Sequence, residues 1–153
     1  MHNNVRFRFT AFWALALGWA ATAAAGDFWI SIQNPSTVKD AAAKNAVVLV
    51  RADGCHNPAE AAITATAEGV VNGVRRSIPL KLEPVAQAAT YAVAPQWPSE
   101  GTWVLKFDAS YRGLERGAVV RLTSGKLEKQ SAQLFHRKIT AEDVETALKP
   151  VSD

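Results

Sequence analysis

Residues 63–82 read Ile63-Thr64-Ala65-Thr66-Ala67-Glu68-Gly69-Val70-Val71-Asn72-Gly73-Val74-Arg75-Arg76-Ser77-Ile78-Pro79-Leu80-Lys81-Leu82, and the pair at their centre governs how the rest of the chain is read. Asn-Gly suits the type I′ turn of a two-residue β-hairpin, because both central residues must take positive φ. Such a turn sets the register. Ala67 then faces Ile78, Ala65 faces Leu80 and Ile63 faces Leu82, while Glu68 faces Ser77, Thr66 faces Pro79 and Thr64 faces Lys81. One face is apolar and the other mostly polar, as a half-buried hairpin requires. Pro79 has no N–H to donate, so its strand is expected at a sheet edge or broken at that residue.

The same alternation recurs on either side. Phe28, Ile30 and Ile32 alternate with Trp29, Ser31 and Gln33, and Trp103, Leu105 and Phe107 alternate with Lys106 and Asp108. Ala118, Val120 and Leu122 alternate with Val119 and Arg121, Tyr91 and Val93 mark a short strand, and a weaker strand spans Lys126 to Phe135. The run Ala46-Val47-Val48-Leu49-Val50 is continuously apolar, the signature of a central strand covered on both faces. Gly, Pro and Asn punctuate these short segments, and no repeats or crossover helices intervene. Near the far end, Thr140-Ala141-Glu142-Asp143 offers an N-cap with acids in the first turn, and Val144, Ala147 and Leu148 share one helical face before Pro150. The expectation is an all-β protein, an immunoglobulin-like antiparallel β-sandwich of seven or eight strands with a short C-terminal helix. Its boundaries are 26–139 for the sandwich and 140–153 for helix and tail. The aromatic core is expected from Tyr91, Trp103 and Phe107.

Of the 153 residues, 48% are apolar and only one is cysteine. That is enough chain for one domain with a real core, and a lone cysteine excludes an intramolecular disulfide framework or an all-cysteine zinc site. Residues 1–25 read as an export signal. Arg6 and Arg8 are followed by an uncharged stretch from Phe9 to Ala25, ending Ala23-Ala24-Ala25 before Gly26. The protein is thus expected to be exported, periplasmic or extracellular; if uncut, this segment would be its membrane attachment. The net charge of +3 includes Arg6 and Arg8, so the remaining chain is close to neutral and carries no footprint for nucleic acid.

Two segments are candidates for chemistry. The first is Arg51-Ala52-Asp53-Gly54-Cys55-His56-Asn57-Pro58-Ala59-Glu60, leading out of the apolar strand. Cysteine and histidine are ligands that Cu(I) or Zn(II) prefer, so Cys55, His56 and Glu60 form a candidate metal set, with His136 as an alternative third ligand. An unpaired thiol at Cys55 is also a candidate for redox chemistry. The competing reading is a thiol at a strand end beside a surface histidine, with no resident cofactor. The second segment is Pro95-Gln96-Trp97-Pro98, a stiff loop presenting an aromatic side chain. Trp97 is a candidate partner-binding residue, or else a lid on one end of the sandwich. Arg112 and Arg116, in a loop expected over 110–116, form a charged mouth at the Cys55 end and are further partner-binding candidates. Strand alternation puts the loops at 53–60 and 110–116 at one end, and Trp97 with Asn72-Gly73 at the other. The sequence carries no nucleophile elbow, zinc-protease, phosphate-loop, haem-attachment or dinucleotide motif, so a non-enzymatic role is expected.

Three stretches, Asn45-Ala46-Val47-Val48-Leu49-Val50, Ala92-Val93-Ala94-Pro95 and Gly101-Thr102-Trp103-Val104-Leu105, carry a resemblance. From Ala46 to Tyr111 the chain resembles small exported bacterial proteins with an immunoglobulin-like domain of the YtkA-like kind. The resemblance implies a periplasmic or membrane-facing accessory role, in some members beside copper or respiratory machinery, and brings no catalytic residues. The methionine- and histidine-rich motifs of copper carriers are absent from this sequence. The combined expectation is an exported binding or accessory protein of the bacterial cell envelope whose partner is an envelope or periplasmic protein. The alternative is a copper- or zinc-handling or thiol-redox accessory using Cys55 and His56.

Overall fold

A computed structural model describes residues 27–40, 45–54, 56–123, 126–127 and 131–149. The expected export signal, Cys55 and Pro150 lie outside these residues. The described chain forms two antiparallel sheets packed face to face. The first has the order β1 (Trp29–Gln33), β2 (Val48–Asp53), β6 (Thr90–Val93), β5 (Glu83–Pro84). The second has the order β10 (Gln133–Phe135), β8 (Leu114–Thr123), β7 (Thr102–Tyr111), β3 (Ala62–Val71), β4 (Val74–Pro79), with β9 (Lys126–Leu127) also paired to β8. This is the strand order of an immunoglobulin-like sandwich. Seven strands have four or more residues and three are shorter, and one helix, Ala141–Leu148, follows.

The Asn-Gly hairpin has the expected register. Thr66 faces Pro79, Ala67 faces Ile78 and Glu68 faces Ser77, with Asn72 at φ 51° and Gly73 at φ 77°. β4 is the edge of its sheet and ends at Pro79. One further bond, from the Leu80 N–H to the Ala65 carbonyl at 2.9 Å, continues the pairing past the proline. Beneath it Ala65, Ala67 and Leu80 are buried. Gly69 lies against the Trp103 indole, where a Cβ would come within 2.3 Å of the ring. The glycine thus leaves room for the largest aromatic side chain of the core.

Between the sheets, Phe28, Ile30, Val48, Val50, Val93, Trp103, Leu105, Phe107, Tyr111, Val120 and Leu122 form one cluster. Trp103 and Phe107 take the expected central places. Tyr91 is only half-buried at the margin, and Phe28 and Tyr111 supply the other inner aromatics, with ring centroids 5.6 Å apart. β2 is covered on both faces as its apolar run requires: Val48 and Val50 point into this cluster, while Leu49 packs with Ala92 under Val38, Ala46 and Val85.

Two local expectations are corrected. The segment 110–116 is not a loop, because β7 and β8 continue through it and turn at Arg112-Gly113, both at positive φ. Between Lys126 and Phe135 the strand is split. Leu122 pairs with Leu127 but Val119 pairs with Gln133, so three extra residues are accommodated between the two stretches. Across the gap the Ser131 hydroxyl accepts the Arg121 N–H at 2.9 Å, where a strand carbonyl would otherwise do so.

The helix lies on the outer face of β7 and β8. Val144 and Ala147 join Ile139, Val104 and Val119 in a second cluster, so the two strands are buried on both sides around Val104 and Val119. A capping box starts the helix: the Asp143 N–H donates to Thr140 Oγ1 at 3.3 Å and the Thr140 N–H donates to Asp143 Oδ2 at 2.8 Å. At the other end Arg121 donates to the carbonyls of Ala147 and Lys149, satisfying acceptors that a helix terminus leaves open. Asp108 Oδ1 accepts the Ile139 N–H at 2.8 Å, and Arg75 pairs with Glu145 at 3.0 Å.

Gly117 receives Ile139 so closely that a Cβ would stand 2.5 Å from Ile139 Cδ1 and 2.8 Å from the Arg137 carbonyl oxygen. Gly117→Ala is therefore expected to cost about 1–3 kcal/mol in urea unfolding and to loosen the helix. A second expectation concerns acid. Hydrogen bonds from Arg137 and from the Thr140 backbone hold the Asp143 carboxyl well below its ordinary value of 3.8. A depressed carboxyl stabilises the fold above its unfolded-state value and loses that contribution as pH falls below it. Thermal unfolding from about pH 5 to about pH 2 should show a larger loss for the wild type than for Asp143→Asn.

Candidate functional site

At the end of β2 the chain turns at Gly54, with φ +77°. A Cβ there would lie 1.8 Å from the Asp27 carbonyl oxygen and 2.1 Å from the Trp29 ring, so only glycine fits. His56 follows, exposed, and then a 3₁₀ turn over Pro58–Glu60. The Asn57 amide donates to Glu60 Oε1 at 2.8 Å, and Arg112 Nη2 lies 3.3 Å from Glu60 Oε2. Arg112 also sits over the Tyr111 ring at 5.1 Å. The Glu60–Arg112 pair thus links the β2–β3 loop to the β7–β8 turn, placing both at one end of the sandwich as alternation requires. Arg116 faces inward along the same end. Its Nε donates to the Phe28 carbonyl at 2.6 Å, its Nη1 donates to the Glu115 carbonyl at 2.7 Å, and its guanidinium lies 5.9 Å above the Phe28 ring.

These contacts bear on the metal candidates. Both oxygens of Glu60 are occupied, and a metal ion would have to displace Asn57 and Arg112 to use them. His56 and His136 are both exposed. Among the described residues, no three His, Cys, Asp or Glu side chains converge on one point. Cys55 lies outside the described residues.

The opposite end carries the Trp97 loop. Gln96 fastens it to the segment after β4 through both atoms of its amide: Oε1 accepts the Lys81 N–H at 2.8 Å and Nε2 donates to the Lys81 carbonyl at 3.0 Å. One side chain so imitates a pair of strand hydrogen bonds. Trp97 is half-buried and packs on the main cluster, while Pro95, Gln96 and Pro98 are exposed. Beyond it the Trp103 indole N–H donates to the Glu100 carbonyl at 2.8 Å. Gly101, at φ +91°, brings the loop against Val70 and Val71 next to the Asn72-Gly73 tip. Trp97 and the arginine pair therefore belong to opposite ends and do not make one surface.

One exposed aromatic is not among the candidates named from the sequence. Trp29 is 45% exposed on the outer face of the first sheet, beside a polar strip. Along it Ser31 Oγ donates to Asp53 Oδ2 at 2.7 Å, Arg51 Nε lies 2.9 Å from Asp53 Oδ1 and Gln33 Nε2 donates to Ser31 Oγ at 3.1 Å. The signal was available, since a tryptophan in phase with Ser31 and Gln33 must lie on their face. No family model, curated protein or solved structure matches the chain.

Gln96→Ala removes both bonds to Lys81. It is expected to cost about 1–2 kcal/mol and to speed amide exchange at Lys81, where a loop held only by its prolines and Trp97 would show no change.

Proposed function

We propose that this chain is an exported, non-enzymatic β-sandwich that binds an envelope or periplasmic partner through the end carrying the Trp97 loop. The observation that carries the reading is the Gln96 clamp on Lys81. A loop fixed before the partner arrives loses little conformational entropy on binding, and preorganisation of this kind favours affinity. Trp97 adds an aromatic anchor at the base of that loop, with Pro95 and Pro98 stiffening either side. The reading also draws on the export signal at residues 1–25 and on the resemblance to periplasmic accessory proteins. At the other end, Arg112 and Arg116 are engaged with Glu60, Phe28 and Glu115 of their own domain. They are thus secondary contributors to partner contact.

The test is capture of envelope components on immobilised protein from residue 26 onward, with Trp97→Ala and Cys55→Ser beside it. A specific component retained by the wild type and by Cys55→Ser, but weakened about 30-fold or more by Trp97→Ala, is the expected result. Retention unaffected by Trp97→Ala would contradict it. Loss of a tightly held Cu(I) or Zn(II) ion on Cys55→Ser would move the account to metal or thiol chemistry.

A further inference from the structure

Strand alternation puts Trp29, Ser31 and Gln33 of β1 on one face, and the register sets Asp53 and Arg51 of β2 beside them. This is the outer face of the first sheet. Part of it is covered: Leu49 and Ala92 lie under Val38, Ala46 and Val85, and Asp40 Oδ2 accepts the Ala86 N–H at 3.1 Å to hold that cover down. The cover stops short of Trp29, which is 45% exposed. The indole is nonetheless placed, because its six-membered ring lies against Gly54, where a Cβ would stand 2.1 Å from Cζ3. Beside it the polar side chains form a directed relay. Gln33 Nε2 donates to Ser31 Oγ, Ser31 Oγ donates to Asp53 Oδ2, and Arg51 Nε lies 2.9 Å from Asp53 Oδ1. That last contact is an ion pair by distance but is not aligned as a hydrogen bond, which leaves the buried Arg51 Nε–H without an acceptor among the described residues. Gln33 Oε1 and the Arg51 Nη1 and Nη2 groups likewise take no partner among the described residues.

Charge and polarity narrow what this face can take. Arg51 and Asp53 neutralise each other, and exposed Asp27, two residues before Trp29, adds a negative charge at that end. An anionic ligand would meet Asp27 and Asp53. A purely apolar one would strip water from the relay and give its donors and acceptors nothing in return. A neutral sugar meets both demands. The axial C–H bonds of a β-linked pyranose make an apolar face that stacks on an indole, while its hydroxyls donate and accept around the rim. From Trp29 to Gln33 the strand runs about 13 Å, room for about two pyranose rings. We propose that the outer face of β1 and β2 binds a neutral β-linked oligosaccharide, one ring stacked on Trp29 and the next hydrogen-bonded by Arg51 and Gln33. The relay is set before the ligand arrives, so little side-chain freedom is lost on binding. This surface is separate from the Trp97 loop and does not depend on the partner proposed for that loop.

The experiment titrates the full chain, residues 1–153, isotopically labelled and held in a zwitterionic detergent without a sugar headgroup. The probes are the β-1,4-linked tetrasaccharides of N-acetylglucosamine and of glucose, with the tetrasaccharide of galacturonic acid as the anionic comparison. Saturable shifts of the Trp29 indole N–H and of the β1 and β2 amides, with either neutral sugar, are expected in the wild type. Affinity should fall about 10-fold or more in Trp29→Ala and about 3-fold in Gln33→Ala. Val74→Ala, which trims another exposed apolar side chain, should bind as the wild type does. The shifts in the unaltered chain locate the site even if Trp29→Ala fails to fold. No saturable shift with either neutral sugar would overturn the proposal. Shifts centred on the Trp97 loop, or equal affinity for the anionic tetrasaccharide, would overturn it as well.

Discussion

Around Val104 and Val119 the β7–β8 hairpin is buried on both faces, and the rest of the molecule is arranged around that condition. Its strands pair without interruption from Trp103 opposite Leu122 to Tyr111 opposite Leu114. Inward, Trp103, Leu105, Phe107, Ala118 and Val120 meet the first sheet. Outward, Val104 and Val119 meet the helix. Burying each large apolar side chain is worth about 1.5–3 kcal/mol, whereas an exposed ion pair contributes about 0–1 kcal/mol. Apolar burial therefore holds the helix down, and Arg75–Glu145 and Lys138–Glu115 contribute mainly to its register. An eight-residue helix is too short to persist alone. It forms here because Thr140 and Asp143 cap its start, Arg121 satisfies its last carbonyls and Ile139 is seated on Gly117.

The two ends of the sandwich differ in what their side chains are free to do. At the β2–β3 loop, Glu60, Arg112 and Arg116 are committed to one another or to the backbone, and these contacts hold the beginning of β1 in place. At the far end Gln96 fixes a loop whose prolines remain in solvent. The first end thus serves mainly to close the fold, and the second presents a fixed shape outward. This division underlies the binding proposal.

Local chemistry was the part of this fold legible in the sequence. Asn72-Gly73 demands a type I′ turn, and the register follows from it without any knowledge of the partner strands. The unbroken apolar run Ala46–Val50 announces a strand covered twice, and Thr140 with Asp143 announces a helix start. The turn at Arg112-Gly113 was missed because arginine at positive φ is not a usual turn signal, and only Gly113 hinted at it. The split between β9 and β10 was hidden because alternation does not register extra residues in one strand. Long-range bonds were the least legible. Arg116 reaches Phe28 and Arg121 reaches Ala147, and nothing in the spacing of those residues predicts a guanidinium meeting a distant carbonyl. For the same reason Arg112 reads from the sequence as part of a charged mouth, although it is paired with Glu60.

Amide hydrogen exchange across the folded chain tests most directly whether the doubly covered hairpin is the centre of stability. Shielded on both faces, the paired amides of Trp103–Tyr111 and Leu114–Leu122 should exchange only with global unfolding, more slowly than those of β4 or β10 at the sheet edges. Early exchange in β7 and β8 while the first sheet stays protected would contradict the account.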